Sequence, residues 1–176
     1  MVIGVGGVVA AVLVIAVVSD LTGGNVTNGY VGPTSALVGT HVKGFTLDGL
    51  NGGQVKAPWE SGRSSILVFF ASYCGPCQVE MPKIAKYVRT HNPKPVEVLA
   101  IDAIDARSKA QAMIKKDDVT FPVAFDPNGV VTTGIFGFSY VPESVLVNAK
   151  GVVTNVYLGA IPKQKLAGGI KSLKSA

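Results

Sequence analysis

Cysteine occurs only twice in this chain, at Cys74 and Cys77, and the residues around the pair leave few folds open. Ile66-Leu67-Val68-Phe69-Phe70 precedes it, an apolar, β-prone run that predicts a buried strand. Gln78-Val79-Glu80-Met81-Pro82-Lys83-Ile84 follows with the spacing of a helix. A thiol at a strand-to-helix junction meets unpaired backbone N–H groups and the positive end of the helix dipole, which favour its anionic form. The thiolate is the reactive species in disulfide exchange. Cys77 lies one helical turn on, within reach of Cys74. The spacing predicts a two-electron dithiol switch.

Other uses of the pair fit less well. A structural zinc site takes about four ligands, and the chain offers two cysteines and two dispersed histidines, His41 and His91. A purely structural disulfide between residues three apart removes little entropy from the unfolded chain. Redox chemistry is favoured over both.

Ala71-Ser72-Tyr73-Cys74-Gly75-Pro76-Cys77-Gln78-Val79-Glu80-Met81-Pro82 resembles the active-site signature of the thioredoxin superfamily. More narrowly, it is similar to the membrane-anchored, extracytoplasmic TlpA/ResA/DsbE-like branch, down to the glutamate and proline that follow the second cysteine. Tyr140-Val141-Pro142-Glu143-Ser144-Val145-Leu146-Val147 resembles that family's cis-proline segment, and Thr120 to Gly129 its insert and turn. The resemblance covers roughly residues 38 to 174. Tyr73 stands where the family usually has tryptophan, and Phe70 replaces another frequent aromatic. Val68 occupies the strand position of thioredoxin's buried aspartate, so no proton-handling role passes to it. Glu80 becomes the best remaining carboxylate. The plainer reading of Glu80 is an exposed first-turn glutamate that complements the helix dipole.

A pass along the chain predicts alternating elements. Phe45-Thr46-Leu47 and Gln54-Val55 flank the turn-rich Asp48 to Gly53 as a hairpin. Strand 64–70 leads through the cysteines to helix 75–90, which Pro82 is expected to kink. A strand over 96–102 and a helix over 107–116 follow, then a turn at Asp126-Pro127-Asn128-Gly129. A short helix is expected over 129–137, a hairpin from strands 144–148 and 152–158, and a closing helix over 162–174. Leu166, Ile170 and Leu173 share one stripe of that last helix, which Gly168-Gly169 weakens by about 2 kcal/mol relative to alanine. The expected fold is α/β: a thioredoxin fold with a central mixed sheet flanked by helices, an N-terminal β-hairpin extension and one preceding transmembrane helix.

Residues 2–18 carry no charged or polar side chain. At 1.5 Å per residue, about 18 helical residues reach about 27 Å, enough to cross a thin hydrocarbon core. No basic residue precedes the run, Ala16-Val17-Val18-Ser19 is a poor cleavage site, and no cysteine follows to carry a lipid. The expectation is an uncleaved anchor at 1–18, a Gly/Thr/Asn/Ser tether at 19–37 and one domain at 38–176. The chain has 176 residues and a formal charge of +5. Lys83, Lys86 and Arg89 fall at helical spacing, which a solvated face explains, or attraction to an anionic membrane surface. No basic–aromatic interleaving suggests nucleic acid.

Placement predicts that Cys74 is the attacking thiolate and that Cys77, deeper, resolves the mixed disulfide. Gly75 permits close backbone approach, Pro76 stiffens the loop and Tyr73 keeps an aromatic ring beside it. The resemblance implies that Pro142 is cis and that Val141 offers main-chain hydrogen bonds to an extended substrate. Trp59 and Tyr140 are candidates for the docking surface, although residues of this kind more often simply pack. No metal and no cofactor beyond the Cys74–Cys77 disulfide is expected. The expected partners are protein thiols and disulfides and a membrane electron donor or acceptor. The branch signature leans toward an extracytoplasmic, membrane-tethered reductant, for example of apocytochrome c thiols. A disulfide donor of the DsbE/DsbA type is the alternative. A metallochaperone, a peroxidase or a non-catalytic binding module on the same fold forms a further class.

Overall fold

A computed structural model describes residues 36–175 of the chain. The expected anchor at 1–18, and the expected tether but for its last two residues, lie outside the described residues. Among the described residues, no helix is long and apolar enough to cross a membrane.

Ten elements follow in order. They are β1 (Thr46–Gly49), β2 (Gln54–Lys56), β3 (Ser65–Phe70), α1 (Gly75–His91), β4 (Glu97–Ala103), α2 (Arg107–Lys116), β5 (Val123–Asp126), β6 (Glu143–Val147), β7 (Val153–Leu158) and α3 (Lys163–Lys174). The strands form one mixed sheet in the order β2-β1-β5-β4-β3-β6-β7. β3, β4 and β5 are parallel, joined by the crossover helices α1 and α2, while β6 and β7 return antiparallel. The N-terminal hairpin adds to the β5 edge through Asp48 and Gly49. This is the mixed sheet that the sequence predicts, with the hairpin extension in place.

β3 is buried along its whole length, which explains its unbroken apolar run: a central strand covered on both faces needs no polar alternation. Ile66, Val68 and Phe70 pack with Met81 and Ile84 of α1, Ile114 of α2 and Leu166 and Ile170 of α3. Leu67 and Phe69 point the other way, onto Trp59, Val131, Phe136 and Phe138. Three helices cover one face of the sheet. The 3-10 turn Pro58–Ser61 and the segment after β5 cover the other.

Two expectations need correction. Residues 129–137 form a chain of turns, not a helix: the Gly134 and Phe136 N–H groups bond five residues back, to the Gly129 and Val131 carbonyls, and interrupt the run of four-residue bonds, while Asp126 caps the segment. Its Oδ2 accepts hydrogen bonds from the N–H groups of Val131 and Thr132 and from the Thr132 hydroxyl. Val123–Asp126, expected only as part of an insert and turn, is a strand paired to both β4 and β1. For Trp59 the packing reading is the one observed: it is buried, edge-on to Phe45 with ring centroids 5.7 Å apart.

Candidate active site

Cys74 is the N-cap of α1, in extended conformation, and its sulfur accepts a hydrogen bond from the Cys77 N–H at 3.1 Å. Pro76 sits in the first turn of the helix, where its missing N–H costs nothing. The two sulfurs are joined, with S–S 2.07 Å and Cα–Cα 5.2 Å. Cys77 is the deeper of the two, at 1% exposed against 8% for Cys74. That order matches the sequence expectation.

The peptide bond between Val141 and Pro142 is cis, as the resemblance implies. The Val141 carbonyl oxygen lies 3.4 Å from Cys74 Sγ. A disulfide sulfur carries no proton, so this contact becomes a hydrogen bond only for the reduced thiol. Gly75, Pro76 and Tyr73 hold the loop positions expected of them. Tyr73 and Tyr140 are both largely exposed and flank a hollow of about 260 Å³ that is also lined by Cys74, Pro76, Ile104, Phe138 and Val141. The hollow has no charged side chain in its walls.

Glu80 is not the exposed first-turn residue of the plainer reading. It lies in the second turn of α1, 4% exposed, and its Oε1 accepts the Ile161 N–H at 2.6 Å. Burial pushes its carboxyl up from 4.5 to about 7, with the Ile161 N–H and nearby Lys83 pulling the other way. Glu80 also lines a cleft of about 470 Å³ with Pro76, Val79, Ile84, Ile161 and Leu166. Lys83, Lys86 and Lys163 line the same cleft. Two of the three cations expected to form a solvated face thus border an apolar hollow.

Two carboxylates at the same end of the sheet escaped the sequence reading. Glu143 directly follows Pro142 and pairs across to Phe69 of β3. Its Oε2 has no hydrogen-bond partner, and burial pushes it up to about 7. Asp102, at the end of β4, pairs with Phe70 and is fully buried. Burial first, then its neighbour Asp105, raises it to about 8. The available signal was a carboxylate set inside an otherwise apolar strand, as in Ala100-Ile101-Asp102. Among the described residues, no cluster of three or more His, Cys, Asp or Glu side chains could hold a metal ion.

The comparisons with known proteins agree with this geometry. The family model described as Redoxin matches residues 37–170. The chain belongs to the Redoxin family. Its curated relatives include the thiol-disulfide oxidoreductase ResA of Bacillus cereus, 27% identical over 136 residues that cover 77% of this chain and 78% of ResA. ResA of Bacillus anthracis is 25% identical over 163 residues, covering 92% of this chain and 94% of that protein. Among solved structures, a putative thiol:disulfide interchange protein DsbE from Chlorobium tepidum matches with TM-score 0.67 and 29% identity, covering 77% of this chain and 96% of that one. This Redoxin-family chain is a thiol–disulfide oxidoreductase of the ResA/DsbE type, with Cys74 and Cys77 as its Cys-X-X-Cys pair.

Proposed function

We propose that this oxidoreductase works on the outer side of a membrane, tethered by its N-terminal apolar run, and reduces disulfides in partner proteins. The observation that carries the reading is the placement of Cys74. Its sulfur caps a helix, receives the Cys77 N–H and borders an uncharged hollow flanked by Tyr73 and Tyr140. A thiolate at that position is favoured by the helix N-terminus and open to a partner.

In the reductive direction, the Cys74 thiolate attacks one sulfur of the partner disulfide, and the other partner sulfur leaves as a thiolate that takes up a proton. Cys77 then loses its proton and attacks Cys74 Sγ. The second partner thiol departs, and the pair is left as the disulfide seen here. Glu80 follows Cys77 by one helical turn and titrates at about 7, so its ionised form, substantially populated at neutrality, is suited to receive the Cys77 proton. No described backbone group takes up the Val141 N–H, which leaves it for an extended partner segment beside Cys74. Electrons would come from a membrane donor; apocytochrome c thiols are the partner class that the ResA/DsbE likeness suggests. The Gly-Pro dipeptide between the cysteines is also thioredoxin's, a reductant at about −270 mV.

The test is the reduction potential of the full chain, equilibrated against glutathione buffers. A value near −270 mV supports the reductant, and one near −120 mV makes the protein a disulfide donor instead.

A further inference from the structure

The corner that follows β4 reaches the cysteine loop from the opposite side to Pro142. Ile104 has φ +52°, a left-handed conformation that a β-branched residue adopts only where its surroundings impose it. Its own N–H is held by the Asp126 carbonyl at 3.0 Å. The turn it makes aims Asp105 back at the loop. Asp105 Oδ2 accepts the Ser72 N–H at 2.5 Å, and Oδ1 accepts the Ala106 N–H at 2.6 Å. On its other side, the Ser72 carbonyl accepts a hydrogen bond from Gln78 Nε2 at 2.7 Å. The peptide units of Ser72, two residues before Cys74, are therefore gripped by two side chains from different elements.

Asp102, three residues earlier, is fully buried, and neither of its carboxyl oxygens meets an N–H or O–H donor. Burial first, then Asp105, raises it. Other charged groups face this pair from the packed elements. Arg107 of α2 lies over the Phe125 ring at 4.1 Å and donates to the Gly49 and Leu50 carbonyls, and it favours the charged form of Asp102. Asp126 of β5 opposes that form. Lys109 of α2 lines the shallow hollow that contains Ser72 and Gln78.

We propose that Asp105 is a positioning residue for Cys74, fixing through Ser72 the turn from which its thiolate attacks. Asp105 touches neither sulfur. It acts through Ser72, and the proposal rests on Cys74 being the attacking sulfur.

The experiment is the pH profile of iodoacetamide alkylation of the reduced full chain, which yields the Cys74 midpoint and the limiting thiolate rate. Mass mapping of wild type identifies the sulfur that reacts first. Alkylation of Cys77 first would overturn both this proposal and the attacking role of Cys74. With Cys74 first, Asp105→Asn is expected to lower the limiting rate about tenfold and to move the Cys74 midpoint, since a charge-assisted bond to the loop is lost. Gln78→Ala, a surface change that spares the fold, should lose roughly threefold through the weaker neutral bond. Asp105→Asn and Gln78→Ala profiles that both superimpose on wild type would overturn the proposal. So would an Asp105→Asn variant that loses only thermal stability, with rate and midpoint unchanged.

Discussion

Glu80→Gln should make the oxidised protein more stable at pH 8 than wild type, while leaving the two nearly equal at pH 4. Glu80 titrates near 4.5 in an unfolded chain and at about 7 when folded. Below pH 4.5, both states are protonated and the carboxyl contributes nothing to the difference. Between pH 4.5 and 7, the unfolded state has given up its proton and the folded state has not, so the unfolded state binds fewer protons and stability falls as pH rises. Above pH 7 the loss is complete. At about 1.4 kcal/mol for each pH unit, it amounts to about 3 kcal/mol. Glutamine has the same shape, keeps an acceptor oxygen for the Ile161 N–H, and does not titrate. The assay is urea unfolding of the disulfide form, in which neither cysteine titrates, for both proteins across pH 4 to 8. Glu143 and Asp102 titrate in both and cancel in the difference. The expected stability difference is near zero at pH 4, grows through pH 5 to 7 and levels off at about 3 kcal/mol, or about 10 °C in Tm for a domain of this size. A difference that stays flat across the range would refute the buried, proton-holding Glu80.

Neighbouring glycines in α3 should respond in opposite directions. A methyl group at Gly168 meets nothing within 4 Å, so Gly168→Ala should raise stability by about 1 kcal/mol, whereas one at Gly169 would fall 2.4 Å from Leu146 Cδ2, so Gly169→Ala should lower it; thermal melts of the two variants decide. Phe69→Ala empties the centre of the second core, where Phe69 meets Phe136 and Phe138 edge-on at 5.1 Å each. It should cost about 3 to 5 kcal/mol in urea unfolding. Cys77→Ser should accumulate mixed disulfides with partner proteins on non-reducing gels, and accumulation with Cys74→Ser instead would exchange the two roles.

What could be read from the sequence were features encoded by neighbours along the chain. The strand before Cys74 and the helix after it are both local patterns, and α2 was placed over the residues it occupies. The cis bond at Pro142 came from the resemblance and not from periodicity. Glu80 shows where local reading stops. Its spacing on α1 permits an exposed residue, and what buries it is the chain around Ile161, 81 residues later, which also supplies its N–H partner. The segment 129–137 failed for a related reason. Its composition tolerates a helix, but its Gly134 and Phe136 N–H groups bond five residues back instead of four. The segment is then laid against Phe69 by Phe136 and Phe138. Gly168-Gly169 reads as one weakness in the helix, yet only Gly169 is a close approach to the sheet.

Val68 lies on the strand that leads to the cysteines, at the position where thioredoxin carries a buried aspartate, and here it is wholly apolar and buried. Other carboxyls are buried in this domain: Glu143 pairs with Phe69 and Asp102 with Phe70 on the strands either side of β3, and Glu80 lies on α1. Burial raises all three into the range from about 7 to about 8. All three therefore act on stability with the same sign: each is neutral in the folded protein where it would be ionised in the unfolded chain, and each withdraws stability as pH climbs toward its folded value. A core built for stability alone gains nothing from three such groups. Thiol exchange needs protons to be given up and taken back, since a thiol loses one before it attacks and a departing thiolate takes one up. The role proposed above for Glu80 uses this: a carboxyl that titrates at about 7 exchanges a proton near neutrality at little cost in free energy.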